Sequence, residues 1–228
     1  MVKIFVFAYM SFFILSVLAC NEGTKPATTN NDEMTRKDPA NNKNIKAILF
    51  FGNSLTAGYG LDDPSEAFPS LIQHRLDSIG LHYKVINAGV SGETSSGGNS
   101  RIDWVLRQPV DVFVLELGAN DGLRGIPVAE TRKNLQSIIN KVKNKYPDVK
   151  LVLAGMQVPP NMGGDYADDF RNMFAELART NEMIFIPFLL KGVGGEATLN
   201  LQDGIHPTAD GHKILAENVW GELKQVVD

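Results

Sequence analysis

Five short, nearly continuous apolar runs divide this chain: Ile45 to Phe51 (IKAILFF), Tyr83 to Ala88, Val110 to Leu117, Lys150 to Met156 and Met183 to Phe188. Runs of this length without alternation suit strands buried on both faces. The intervening stretches carry helical periodicity, over Ser65 to Ile79, Ser95 to Leu106, Val128 to Tyr146 and Tyr166 to Arg179, and a last helix is expected from Thr208 to Val227. Such alternation implies βαβ units with right-handed crossovers, and hence an α/β, three-layer doubly wound (flavodoxin-like) sheet of about five parallel strands. Ligands bind such sheets beyond the carboxyl ends of the strands, so the residues just after each run are the ones to inspect.

The residues before the first run form no part of that pattern. Lys3, an apolar run from Ile4 to Leu18, Ala19 and Cys20 read as an export signal, too short for a lasting membrane span of roughly 20 residues. Val17-Leu18-Ala19-Cys20 resembles the bacterial lipobox, which implies cleavage before Cys20 and acylation of its thiol. A simple secretory peptide with an incidental Cys20 is the other reading. From Asn21 to Asn44 there is no aromatic or branched aliphatic side chain, so nothing there can be buried. The expected organisation is a lipoprotein-type signal peptide (1–19), a lipidated Cys20 with a disordered tether (20–44) and one domain (45–228), placed in the cell envelope. Cys20 is the single cysteine, so no intramolecular disulfide or thiolate metal cage supports the fold. The net charge of −4 offers no general attraction to nucleic acid.

The strand ends hold the unusual residues. Gly52-Asn53-Ser54-Leu55-Thr56 follows the first run, and a serine there is either a rigidly held nucleophile or a helix N-cap. Gly89 follows the second run, where it allows close backbone approach or a tight turn. Gly118-Ala119-Asn120-Asp121 follows the third, and Asn120 is either a carboxamide donor at the rim or an Asx-turn cap. Near the far end, Asp203 precedes His206 by three residues and Pro207 follows, fit to be the first residue of the last helix. Asp203 either accepts from His206 Nδ1, leaving Nε2 free to take a proton from Ser54, or caps that helix.

Taken in order, Gly52-Asn53-Ser54-Leu55, Gly89, Gly118-x-Asn120-Asp121 and Asp203-x-x-His206 resemble the blocks of the SGNH or GDSL-type hydrolases. The stretches LTAGYGL, NAGVSGETSSGG, LELGANDGLRGIPV and QDGIHPTADGH are similar to the exported bacterial thioesterase, lysophospholipase and arylesterase group. The resemblance implies an SGNH hydrolase fold and a serine esterase with Ser54, Asp203 and His206 as its catalytic triad. It also implies an oxyanion hole made by the N–H groups of Ser54 and Gly89 and the side chain of Asn120, with no metal or cofactor. One position departs from the family, whose first block reads Gly-Asp-Ser. Asn53 keeps the size of aspartate and one acceptor but loses the charge, so a charge-assisted hydrogen bond ordering the serine loop is expected to weaken.

The implied partner is a small-molecule or lipid ester: a lysophospholipid, acyl thioester or aryl ester, with a carbohydrate O-acetyl group as the alternative and a non-catalytic tethered binding protein as a further one. Leu55, Leu123, Ile126, Met156, Val158, Pro159, Pro160 and Met162 lie in rim segments suited to an apolar acyl site. The segment from Gly155 to Tyr166 is long enough to form a lid. The common α/β-hydrolase fold is disfavoured, because no G-x-S-x-G elbow is present. Gly89 to Gly98 lacks the Lys-Ser/Thr ending of a phosphate loop. His74, His82 and His212 have no metal-ligand spacing and read as surface or helix residues. Asp62-Asp63 and Asp168-Asp169 read as solvated loop charges rather than a glycosidase acid pair.

Overall fold

The computed structural model describes residues 45–227. The expected signal peptide, Cys20 and the tether lie outside the described residues. Among the described residues, no helix is long and apolar enough to cross a membrane.

The five apolar runs become β1 (Lys46–Gly52), β2 (Tyr83–Gly89), β3 (Val112–Glu116), β4 (Lys150–Ala154) and β5 (Ile184–Ile186). They form one parallel sheet in the order β2-β1-β3-β4-β5. Connections leave β1 toward β2 and then cross back to β3, so the topological switch point lies at the carboxyl end of β1. The register sets Gly52 beside both Gly89 and Glu116 at that end. The last strand is shorter than its apolar run because Pro187 follows Ile186 and has no N–H to extend the ladder.

Among the described residues, seven α-helices complete the layers: α1 (Ser54–Ala57), α2 (Phe68–Ser78), α3 (Ser95–Val105), α4 (Ala119–Leu123), α5 (Val128–Lys145), α6 (Gly164–Thr180) and α7 (Ala209–Leu223). The short α1 and α4 were not expected, since four or five residues are too few to show a helical period. α2 starts later than Ser65 because Pro64–Glu66 forms a separate 3-10 turn and Ala67, extended at ψ 139°, breaks the chain before Phe68. α7 is capped by Thr208, whose Oγ1 accepts from Gly211 N–H at 3.3 Å, so Pro207 precedes the helix rather than opening it. Asp168 and Asp169 lie on α6 rather than in a loop, and both are exposed.

The core is made by the fully buried β1 and β3 side chains, with Phe50, Phe51 and Phe113 packed against Phe68, Leu135, Ile139 and Leu215 from the flanking helices. Edge strand β2 is finished by a side chain: Gln73 of α2 accepts from Val85 N–H at 2.6 Å and donates to the Tyr83 carbonyl at 2.9 Å.

Candidate active site

Ser54 leaves the end of β1 as the first residue of α1 and is 7% exposed. Asn53 takes the N-cap position left open for the serine, its Oδ1 accepting from Leu55 N–H at 2.9 Å. The N–H of Ser54 has no hydrogen-bond partner among the described residues, and its carbonyl is held by the N–H groups of Gly58 and Tyr59, both at 3.0 Å. The turn therefore fixes the hydroxyl while leaving one backbone donor beside it.

Beneath the turn, Glu116 closes β3 as a completely buried carboxylate. Its Oε1 accepts from Asn53 Nδ2 at 2.8 Å, and its Oε2 accepts from Asn53 N–H at 3.1 Å and Thr56 Oγ1 at 2.8 Å. Burial pushes the Glu116 carboxyl up to about 7, against the pull of these donors. Asn53 lacks the charge of the family's aspartate, and the turn is ordered by hydrogen bonds in which Asn53 donates to the Glu116 carboxyl.

The loop before α7 delivers the imidazole. His206 Nε2 lies 2.9 Å from Ser54 Oγ, and His206 Nδ1 lies 2.7 Å from Asp203 Oδ2. Asp203 does not cap α7. Its Oδ1 instead accepts from the N–H groups of Ile205 at 2.9 Å and His206 at 3.0 Å, so one carboxylate folds the loop and orients the ring. The His206 N–H, the ring and the Ile205 N–H hold the Asp203 carboxyl down to about 2. The loop is fastened by Leu201 N–H to the His206 carbonyl at 2.7 Å and by Thr208 N–H to the Leu199 carbonyl at 2.9 Å. Tyr59 sets its ring 4.5 Å from the imidazole, tilted by 46°.

Asn120, on α4, lies on the cavity wall shared with Ser54, and its Nδ2 donates to the Glu93 carbonyl at 3.0 Å. It is not an Asx cap, since Gly118 holds the cap position with φ 113°. Asp121 is buried behind it, accepting from Ser95 N–H at 2.8 Å and Ser95 Oγ at 2.5 Å, and so ties α4 to α3.

Gly89 is not placed as expected. Its N–H donates to Asn87 Oδ1 at 3.0 Å, and it does not line the cavity. A Cβ there would run into Ala57 N–H and lie 2.8 Å from the Asn53 carbonyl, so this glycine lets α1 sit on β2. Gly92, which sequence reasoning passed over, has φ 78° and an N–H without a partner among the described residues. Its carbonyl accepts from Arg124 at 3.0 Å, and the next carbonyl along is the one holding Asn120. The signal lay in Ser91-Gly92-Glu93, three residues past the glycine chosen from the sequence.

A cavity of about 560 Å³ opens over Ser54 and His206. Of the expected acyl-site residues, Leu55, Leu123, Met156, Val158 and Pro159 line it. Ile126 and Met162 do not, and the side chain of Pro160 lies outside the described residues. Phe188, Leu190 and Ile205, which the sequence did not single out, complete the apolar wall. The segment from Gly155 to Tyr166 supplies that wall and a 3-10 turn at Pro160–Met162, and Tyr166 Oη donates to the Ile126 carbonyl at 2.8 Å. His212 is buried on α7, accepting from Phe68 N–H at 3.2 Å, and burial pushes it down to about 4.

A hydroxyl that can pass its proton to a carboxylate-oriented imidazole, beside an apolar cavity, is the chemistry of a serine ester hydrolase. The chain belongs to the GDSL-like lipase/acylhydrolase family, whose model matches residues 50–214. It is 38% identical over 183 residues to the esterase TesA of Pseudomonas aeruginosa, covering 80% of this chain and 90% of that protein. It is 32% identical to the thioesterase 1/protease 1/lysophospholipase L1 of Escherichia coli, over 79% of this chain and 85% of the relative. The crystal structure of the psychrotrophic esterase EstA from a Pseudoalteromonas species, inhibited by monoethylphosphonate, superimposes with a TM-score of 0.74 at 30% identity, covering 79% of this chain and 97% of that one.

Proposed function

We propose that this ester hydrolase acts on carboxylic esters or thioesters of apolar acyl groups through an acyl-enzyme on Ser54. The observation that carries the reading is the relay from Ser54 to His206 to Asp203, at 2.9 and 2.7 Å, opening onto an apolar cavity. Ser54 Oγ attacks the carbonyl carbon while His206 Nε2 accepts its proton. The tetrahedral oxyanion is held by the N–H of Ser54, the second N–H of the Asn120 carboxamide and the N–H of Gly92, which takes the place intended for Gly89. Collapse expels the alcohol or thiol, protonated by the imidazolium. Water then enters by the same route in reverse, with His206 as its base, and releases the acid.

The apolar lining and the names of the relatives favour lipid-type acyl groups over acetyl. p-Nitrophenyl esters of increasing chain length test this against the Ser54→Ala variant. The expected outcome is Ser54-dependent turnover in which kcat/KM rises about fourfold per methylene, the equivalent of about 0.8 kcal/mol, until the cavity is filled. A sharp acetyl preference moves the assignment to a carbohydrate O-acetylesterase. Folded protein without turnover moves it to a binding protein.

We further propose, on the Val17-Leu18-Ala19-Cys20 sequence, that an acylated Cys20 holds the domain at the bacterial cell envelope. In a bacterial host, Cys20→Ala is expected to shift the protein from the membrane to the soluble fraction. Unchanged membrane association overturns the anchor.

A further inference from the structure

We propose that Glu116 is a positioning residue for Ser54, acting through Asn53, and that the asparagine is matched to it as the donor half of one buried pair. The inference rests on Ser54 as the nucleophile and concerns what holds it in place.

The hydrogen bonds leave no freedom in how the pair is oriented. Leu55 N–H can only donate, so it fixes Asn53 Oδ1 on its side at 2.9 Å and turns Nδ2 toward Glu116 Oε1 at 2.8 Å. Glu116 Oε2 meets only donors, the N–H of Asn53 and the hydroxyl of Thr56. One carboxylate therefore clamps both ends of the turn that carries Ser54, and Ser54 Oγ also lies 3.4 Å from the same Asn53 Oδ1. Asn53, Thr56 and Glu116 are 1%, 0% and 0% exposed, so water cannot replace a lost partner.

No second charge competes at this spot. The groups that face Glu116 are Gly52 of β1 and Asn53 and Thr56 of the turn, and β4 alongside is apolar from Leu151 to Ala154. Arg101 of α3 approaches only as far as the Gly52 carbonyl, at 3.4 Å, and is paired with Glu93. His206 and Asp203 stand on the far side of Ser54. With aspartate at position 53, two carboxyl oxygens would meet where an N–H and an oxygen meet now, and the pair would have to share a proton.

Exchanging the polarity of the pair tests this. In the Glu116→Gln variant the amide N–H2 meets a donor in either orientation, the Asn53 N–H2 or the Asn53 backbone N–H, and flipping Asn53 only moves the clash onto Leu55 N–H, inside the serine turn. In the Asn53→Asp/Glu116→Gln double variant every bond has a donor and an acceptor again. kcat and KM for p-nitrophenyl butyrate, and the rate of Ser54 labelling by a fluorophosphonate, are measured as functions of pH in wild type, both single variants and the double variant. Thermal unfolding is followed in parallel, and Ser54→Ala is the blank.

Glu116→Gln is expected to lose about tenfold or more in kcat and labelling rate at nearly unchanged KM. Asn53→Asp alone is expected to lose activity on the alkaline side, where the shared proton leaves. The double variant is expected to return to within about threefold of wild type, with the wild-type pH profile. A wild-type kcat in Glu116→Gln, or a double variant no faster than the slower single variant, overturns the proposal. If Glu116→Gln does not fold, Thr56→Val removes one donor to the same carboxylate, and an unchanged kcat there has the same force. Wild-type turnover that does not depend on Ser54 removes the nucleophile and this inference together, whereas Ser54-dependent turnover without rescue removes only this inference.

Discussion

Gly52 and Glu116 stand side by side on β1 and β3, and a Cβ on Gly52 would lie 2.5 Å from Glu116 Oε2 and closer still to Thr56 Oγ1. The glycine ahead of the serine turn is required for space, since its backbone is ordinary strand. Gly52→Ala is expected to push the carboxylate off its donors, costing about 1–3 kcal/mol of stability and at least about tenfold in kcat. Denaturant unfolding and steady-state kinetics on the same preparation check both numbers.

Asn120 offers a more selective loss. Removing its carboxamide with Asn120→Ala leaves α4 anchored through Asp121 and Ser95 and takes away one of the donors proposed for the oxyanion. kcat is expected to fall about 100- to 1000-fold, while stability drops only by the lost hydrogen bond to the Glu93 carbonyl, about 1 kcal/mol. An unaltered kcat would take Asn120 out of the oxyanion hole.

The pH dependence of stability has two separable parts. Asp203 is held below its ordinary range, so its contribution is present above the usual carboxylate pKa and is lost as pH falls toward about 2. The gap in melting temperature between wild type and Asp203→Asn is therefore expected to stay constant from neutral pH down to about 4 and to close below it. In kcat the same variant should lose roughly 10³- to 10⁴-fold, because an amide can hold the imidazole in the wrong tautomer.

His212 is also held low, at about 4, but by burial as a neutral acceptor for Phe68 N–H. Folding then excludes a proton that the unfolded chain binds. Stability is full above the ordinary histidine range and falls between there and about 4, by on the order of 2–3 kcal/mol. His212→Asn keeps an acceptor without a titrating ring, so its melting temperature is expected to be flatter across that window.

Leu123 marks the mouth of the cavity and is 42% exposed. Leu123→Trp is expected to raise KM for decanoyl and longer p-nitrophenyl esters by about tenfold while leaving the acetyl ester unchanged. Equal effects on both would place the acyl chain elsewhere.

The residues legible in the sequence were those whose position follows from chain-local pattern. Buried strands wrote themselves as apolar runs, and Ser54, Asn120 and the Asp203–His206 pair sat at run ends or at short spacing. What stayed hidden depends on register or on side-chain direction. Glu116 reads as one polar residue inside a strand, and only the pairing of Gly52 with Glu116, residues far apart in sequence, brings it under the Ser54 turn. Gly89 ends β2 and Gly92 follows three residues on, and which N–H is free was decided by Asn87, whose side chain accepts from the former. Phe188 closes the fifth apolar run beyond the end of β5, and Leu190 and Ile205 reach the cavity from segments that carry no period to read.

Gln73 has a consequence for the molecule among its own copies. The outer rim of β2 would otherwise present an open N–H and carbonyl to any extended strand that drifted alongside. With one carboxamide answering both Val85 and Tyr83, that rim is already occupied along part of its length, and the opposite rim is the three-residue β5. A chain crowded with unfolded neighbours thus finds little on either side of its sheet to recruit them into a growing aggregate.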